Sequence, residues 1–266
     1  MDELAKYNQE RWEELAKAEV EFAKPWLELT PKRAREAIDP AGVMGVVSGL
    51  DILCLAASGG QQSAAFSLLG ADVMVYDLSP TQLANDRLAA EHYGHNVATK
   101  MGDMRNLSSF ARAAFDVVYQ AYSINFVPDV EKVFRSVKRV LRPEGLYRFE
   151  FANPFTMTVD YEKWSTEPWD EGAYPLMHEY KDGFETSTIY PDWDVQGEEG
   201  EWRKIASPRE FRHALSTLVN GLVKQGYTIL ALDETTSSEV DPEPGSWQHF
   251  LAVTAPYITI WARREA

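Results

Sequence analysis

The sequence predicts an α/β fold: a doubly wound, mostly parallel sheet with an N-terminal helical cap over residues 1–40 and a lid inserted at 155–206 of the main domain, 41–266. Two observations predict it. Between residues 51 and 154, short apolar runs alternate with amphipathic segments across brief turns, the pattern of a parallel sheet covered on both faces. After Pro154 that alternation stops, and it resumes only near residue 207. With 266 residues, 45% of them apolar, the chain can bury one large core.

The elements follow in order. Leu4, Tyr7, Trp12, Leu15, Val20 and Phe22 recur among charges and predict a helix over 2–24, stopped by Pro25. A second helix, 30–38, opens with Thr30 as N-cap and Pro31 in its first position. "DILCLAA" (51–57) is a buried strand, "GQQSAAFSLLG" (60–70) a helix and "DVMVYDL" (72–78) the next strand. "SPTQLANDRLAAEHYG" (79–94) is a helix capped by Ser79. Strands are predicted at 96–104 and 115–123, then a helix over 129–145 and a strand at 146–154. Within the insertion, 184–193 and 201–207 are candidate antiparallel strands. A capped helix over 207–227, a strand at 228–234, a polar loop at 235–247 and a final strand at 256–264 complete the chain.

Charge and cysteine content narrow the function. The chain holds 26 basic against 41 acidic residues, a net charge of −15, and its one short basic cluster is "PKRAR" at 31–35. That balance disfavours nucleic acid and anionic membrane surfaces as partners. The single cysteine, Cys54, allows no intrachain disulfide and no cysteine-based metal site. No apolar stretch approaches membrane-spanning length, and the charged, amphipathic first residues are unlike a signal peptide. A soluble cytoplasmic protein is expected.

The first strand–turn–helix unit is the usual nucleotide seat of an open parallel sheet. Here the turn is "AASGGQQ" (56–62). A phosphate loop would need Lys-Ser or Lys-Thr after the glycines, and neither follows. A dinucleotide cradle would need G-x-G-x-x-G, whereas only Gly59 and Gly60 are present. Adenosine without phosphates, as in S-adenosylmethionine, needs close backbone approach and a ribose carboxylate; Asp77, ending the second strand, supplies the latter. "GDM" at 102–104 lies where an Asp or its neighbouring amide reaches an adenine edge.

Glycine turn, strand-end Asp, "GDM" and "FDVVYQAYSINFVPDVEKVFRSVKRVLRPEG" occur in one order and spacing. Together they resemble the class I S-adenosylmethionine-dependent methyltransferases, small-molecule branch. The resemblance is dense over 50–153 and looser over 207–263. It implies a Rossmann-like, seven-stranded sheet, S-adenosyl-L-methionine as cofactor and a small-molecule methyl acceptor. It also implies that Ala56, Ser58, Gly59, Gly60 and Gln61 line the methionine and ribose side, with Asp77 on the ribose and Leu78 on the adenine. Asp103 and Met104 would read the adenine edge, Gln120 and Ala121 would face the methionine part, and Tyr7 and Trp12 would cover the cofactor. Two positions depart from the family pattern: Cys54 and Ala56 stand where an acid often precedes the turn, and Pro143-Glu144-Gly145 replaces Pro-Gly-Gly. The cofactor's ammonium is then expected to meet backbone carbonyls and Gln120.

A sulfonium methyl is already activated, so alignment and water exclusion matter most and a general base is optional. Tyr122, His178 and His213 are the candidate donors and bases. No HExxH or comparable ligand spacing is present, and no metal is expected. The insertion carries Trp164, Trp169, Trp193 and Trp202 with Tyr161, Tyr174, Tyr180 and Tyr190, an aromatic surface suited to a small apolar or cationic acceptor. Two other functions fit the same sheet: a cofactor-binding protein without catalysis, and a nicotinamide-dependent oxidoreductase.

Overall fold

The computed structural model describes residues 1–56, 59–157, 159, 174, 176, 178–196 and 200–266. The opening helix, α1 (Glu3–Lys17), starts where Asp2 accepts the Ala5 N–H at 2.9 Å. It is shorter than the expected 2–24, because the chain turns through Glu19 at φ 52° into a single 3₁₀ turn, Glu21–Ala23. In α2 (Pro31–Ile38), Thr30 is the N-cap and Pro31 takes the first position, as expected. Then come β1 (Asp51–Leu55), α3 (Gln62–Leu68), β2 (Asp72–Asp77) and α4 (Pro80–His92), capped by Ser79. β3 (Ala98–Met101), β4 (Phe115–Tyr122), α5 (Val130–Val140) and β5 (Leu141–Ala152) follow. A hairpin follows, β6 (Asp192–Gln196) with β7 (Trp202–Ala206); the strand expected over 184–193 is instead a 3₁₀ turn at Thr186–Thr188 leading to β6. α6 (Leu215–Lys224), β8 (Tyr227–Glu234), α7 (Trp247–Thr254) and β9 (Tyr257–Arg264) close the chain.

Seven strands form one sheet in the order β3-β2-β1-β4-β5-β9-β8. The pairs from β3 to β5 are parallel, and β9 runs antiparallel to both β5 and β8. Successive strand side chains alternate between the faces. Ile52 and Cys54 therefore join a core under α2, α3 and α4, while Leu53 and Leu55 join the core under α5 and α6. The doubly wound reading is thereby met, with seven strands.

Two further boundaries and one whole element differ from expectation. The helix expected to reach residue 145 stops at Val140, and the chain pairs with β4 from Leu141 onward. The helix expected over 207–227 begins only at Leu215, and Ser207 caps nothing. Residues 207–214 are extended instead, held by Thr186 N–H to Glu210 O at 2.8 Å, Phe211 N–H to Asn125 O at 2.7 Å and Arg212 N–H to Phe184 O at 2.8 Å. Long-range backbone pairing overrides local propensity here. Helix α7 has no counterpart among the expected elements; Ser246 caps it by accepting the His249 N–H at 3.1 Å.

Candidate functional site

Strand order reverses between β1 and β4, and a cleft opens beyond the carboxyl ends of β1, β2, β3 and β4. Counted together with the part open to solvent, its space is about 610 Å³. Ala56, Asp77, Leu78, Gly102, Asp103, Met104 and Tyr122 line it from the strand ends. Phe126 and Val127 follow β4, while Leu4, Ala5, Asn8 and Trp12 come from α1 above it. Asp77 is buried, and one of its oxygens accepts the Ser79 N–H at 2.8 Å. Burial pushes its carboxyl up to about 7. Asp103 also lines the cleft, but its carboxylate is held by Arg105, Nε to Oδ2 at 3.0 Å, and Arg105 extends to Asp2 at 2.8 Å.

The glycine turn serves the protein's own packing. Gly60 sits at φ 96°, and a Cβ there would lie 2.7 Å from the Asn85 carbonyl oxygen. Its N–H donates to Asp86 Oδ1 at 2.8 Å, and Ser63 Oγ donates to the same oxygen. Burial pushes the Asp86 carboxyl up to about 6. Gly59 approaches Ala23, and Gln61 Nε2 donates to the carbonyls of Phe22 and Lys24 at 3.1 and 3.0 Å. Gly59, Gly60 and Gln61 therefore do not line the cleft. Ala56 does, at φ 49°; Ser58 lies outside the described residues.

Helix α1 is fastened across the cleft at several points. Gln9 Nε2 donates to Leu78 O at 2.7 Å, and Asn8 Nδ2 donates to Phe126 O at 3.1 Å. Glu13 accepts from Ser79 Oγ at 2.7 Å and from Thr81 Oγ1 at 2.6 Å. Burial opposes ionisation of Glu13, yet these hydrogen bonds hold its carboxyl down at about 2. Trp12 lines the cleft. Tyr7 points elsewhere, donating to Ser207 O at 3.3 Å.

A second cleft, about 1120 Å³ when the part open to solvent is counted, shares Trp12, Tyr122 and Phe126 with the first. Tyr190 and Trp193 line it, together with Glu150 and Glu210. Tyr161, Trp164 and Trp169 lie outside the described residues. Hairpin residues Val195 and Ile205 pack on Leu15, so α1 and the β6–β7 hairpin meet beside this space. Tyr122 donates to a Glu210 oxygen, and burial pushes the Glu210 carboxyl above its ordinary range.

The remaining expected residues fall outside both clefts. Gln120 is fully buried; it accepts from Tyr147 Oη at 2.6 Å and donates to Ser123 Oγ at 2.9 Å, so its amide is committed within the core. Ala121 beside it is absent from either lining. His178 is exposed and stacks on Phe184, with centroids 6.4 Å apart. His213 precedes α6 rather than sitting on it, and burial pushes its pKa down. Neither histidine borders a cleft. Sequence reasoning missed Asn8, Glu150 and Glu210. For Glu210 the helix expected over 207–227 hid the signal, since it put that residue on a helix instead of an extended segment crossing the site.

Comparison with known proteins gives a consistent picture. A family described as a methyltransferase domain matches residues 53–149. An uncharacterized methyltransferase, YbaJ, of Bacillus subtilis is 32% identical over 190 residues, 71% of this chain and 69% of its own. A ubiquinone/menaquinone biosynthesis C-methyltransferase of Idiomarina loihiensis is 32% identical over 122 residues, 44% of this chain and 48% of its own. The crystal structure of an S-adenosylmethionine-dependent methyltransferase from Mesorhizobium loti superposes with a TM-score of 0.61 at 21% identity. That match covers 90% of this chain and 100% of the other, and it speaks to the fold. Among the described residues, no helix is long and apolar enough to cross a membrane.

Proposed function

The chain belongs to the class I S-adenosylmethionine-dependent methyltransferases, and from that membership we propose that it transfers the cofactor's sulfonium methyl group to a small-molecule acceptor. One observation carries the reading: Asp77, a buried carboxylate, ends β2 inside an apolar cleft at the switch point of the sheet. The donor set fits a methionine-linked adenosine. Asp77 offers carboxylate oxygen to ribose hydroxyls. Leu78, Met104 and Val127 offer an apolar slot to the adenine. A dinucleotide fits poorly, because its pyrophosphate needs free amides and that of Gly60 already donates to Asp86.

When bound, the cofactor supplies an activated methyl electrophile. The chain's residues then have to orient and exclude water, which can be worth about 7–11 kcal/mol of a bimolecular barrier. Helix α1 covers the cleft, and Trp12 and Phe126 stand between it and the second cleft, where we place the acceptor. The packing of β6 and β7 on α1 supports 155–206 as a substrate lid on a single domain. The net charge of −15 supports a small acceptor over nucleic acid, and the lone buried Cys54 is compatible with a reducing, cytoplasmic setting.

Isothermal titration with S-adenosylhomocysteine and with NAD tests the reading. Binding of the first and not of the second is expected; no binding of S-adenosylhomocysteine would sink it. Binding without turnover across a broad acceptor panel would instead favour a non-catalytic protein of this fold.

A further inference from the structure

The second cleft has a composition that selects its occupant. Trp12, Phe22 and Trp193 meet edge to face, with centroids 6.0, 5.8 and 4.9 Å apart, and Tyr190 and Tyr257 extend the wall. Glu150 and Glu210 reach the same space, and no lysine or arginine lines it among the described residues. Glu150 is matched by Arg148 at 2.8 Å. Glu210 has no cation at ion-pair distance among the described residues; its oxygens accept from Tyr122 Oη and, at 3.3 Å, from Thr186 Oγ1. A carboxylate removed from water without a counter-ion is costly, and a bound cation offsets that cost. Aromatic faces attract cations over the same short range. Because Tyr122 lines both clefts, its hydroxyl holds Glu210 near their junction.

Resting on the methyl-transfer reading above, we propose that this cleft holds the acceptor and that the acceptor is an amine with an apolar or aromatic body, its nitrogen received by Glu210. The amine arrives as an ammonium ion and pairs with the carboxylate, which takes one N–H proton. The freed lone pair forms the nitrogen–carbon bond to the methyl group while the carbon–sulfur bond breaks, its electron pair staying on sulfur. The positive charge moves from sulfur to the methylated nitrogen, and Glu210 passes its proton to solvent. An anionic acceptor would meet an unmatched carboxylate and be repelled.

Isothermal titration of the full chain, saturated with S-adenosylhomocysteine, tests this with three sets of three probes. The amines are phenethylamine, tryptamine and benzylamine, each set against the alcohol and the carboxylate of like shape. The tightest amine is expected to bind at least tenfold more tightly than its alcohol and at least a hundredfold more tightly than its carboxylate. Smaller ratios, or no amine binding at millimolar concentration, overturn the proposal. Glu210→Gln is expected to bring amine and alcohol within threefold while leaving S-adenosylhomocysteine affinity within twofold; a retained amine preference overturns it. Should that variant not fold, the probe series on the unmodified chain decides alone. If S-adenosylhomocysteine itself does not bind, the methyl-transfer reading fails; if it binds and the amines are not preferred, only the acceptor assignment fails.

Discussion

Replacing Asp77 with asparagine is expected to stabilise the cofactor-free protein at pH 8 and to weaken cofactor binding. Burial raises this carboxyl from 3.8 to about 7. The folded state therefore holds the proton more tightly than the unfolded chain does, and the associated stability is complete below pH 3.8 and lost as pH rises through about 7. At 1.36 kcal/mol per unit, the ionised form costs the fold at most about 4 kcal/mol above that range, with on the order of 2 kcal/mol expected because the cleft admits water. Asparagine stays neutral, and its carbonyl oxygen can still accept the Ser79 N–H, which lies 2.8 Å from the native carboxylate. Urea unfolding should thus show Asp77→Asn more stable than the parent at pH 8, with the difference vanishing near pH 4. Titration with S-adenosylhomocysteine at pH 8 should show a loss of about 1.5–3 kcal/mol, the range for hydrogen bonds to a charged group. No stabilisation at pH 8 would refute the desolvation argument, and unchanged affinity would refute the ribose assignment.

The other predictions concern how α1 and the turn are held. Glu13→Gln should destabilise the protein by about 1.5–3 kcal/mol at neutral pH, since three charge-assisted hydrogen bonds weaken. Because the native carboxyl is held down at about 2, that stability is present above 4.5 and fades as pH falls towards 2; urea unfolding at pH 7 and 2.5 should show the contrast. Gly60→Ala should cost more than about 2 kcal/mol in thermal unfolding, because its φ of 96° and a Cβ 2.7 Å from the Asn85 oxygen are both prohibitive. Ala56→Gly, at φ 49°, should be neutral or gain up to about 1 kcal/mol in the same measurement. A loss there would mean that the Ala56 methyl packs usefully in the cleft.

Much of this molecule is legible locally. The short apolar runs at 51–55 and 72–77 and the caps at Thr30 and Ser79 act within a few residues, so these strands and helices, and their order, follow from sequence alone. Asp77 was legible for the same reason, as a carboxylate at a strand end. Gln120 was not: alternation along β4 put its side chain in the core under α5, where Tyr147 binds it.

The glycine turn shows the same division. Sequence established that Gly59 and Gly60 form a tight bend between β1 and α3. Only the tertiary structure shows the closeness used by Ala23, Pro25, Asn85 and Asp86, leaving the cleft to Ala56 and the strand ends. The acceptor side lay further from reach. Trp12, Glu150, Trp193 and Glu210 come from four separate segments, and Glu210 arrives through an extended stretch with the local signature of a helix start. Elements are set by short-range propensity and patterning, whereas a site is set by which distant backbones pair, and that choice belongs to the energy of the whole fold.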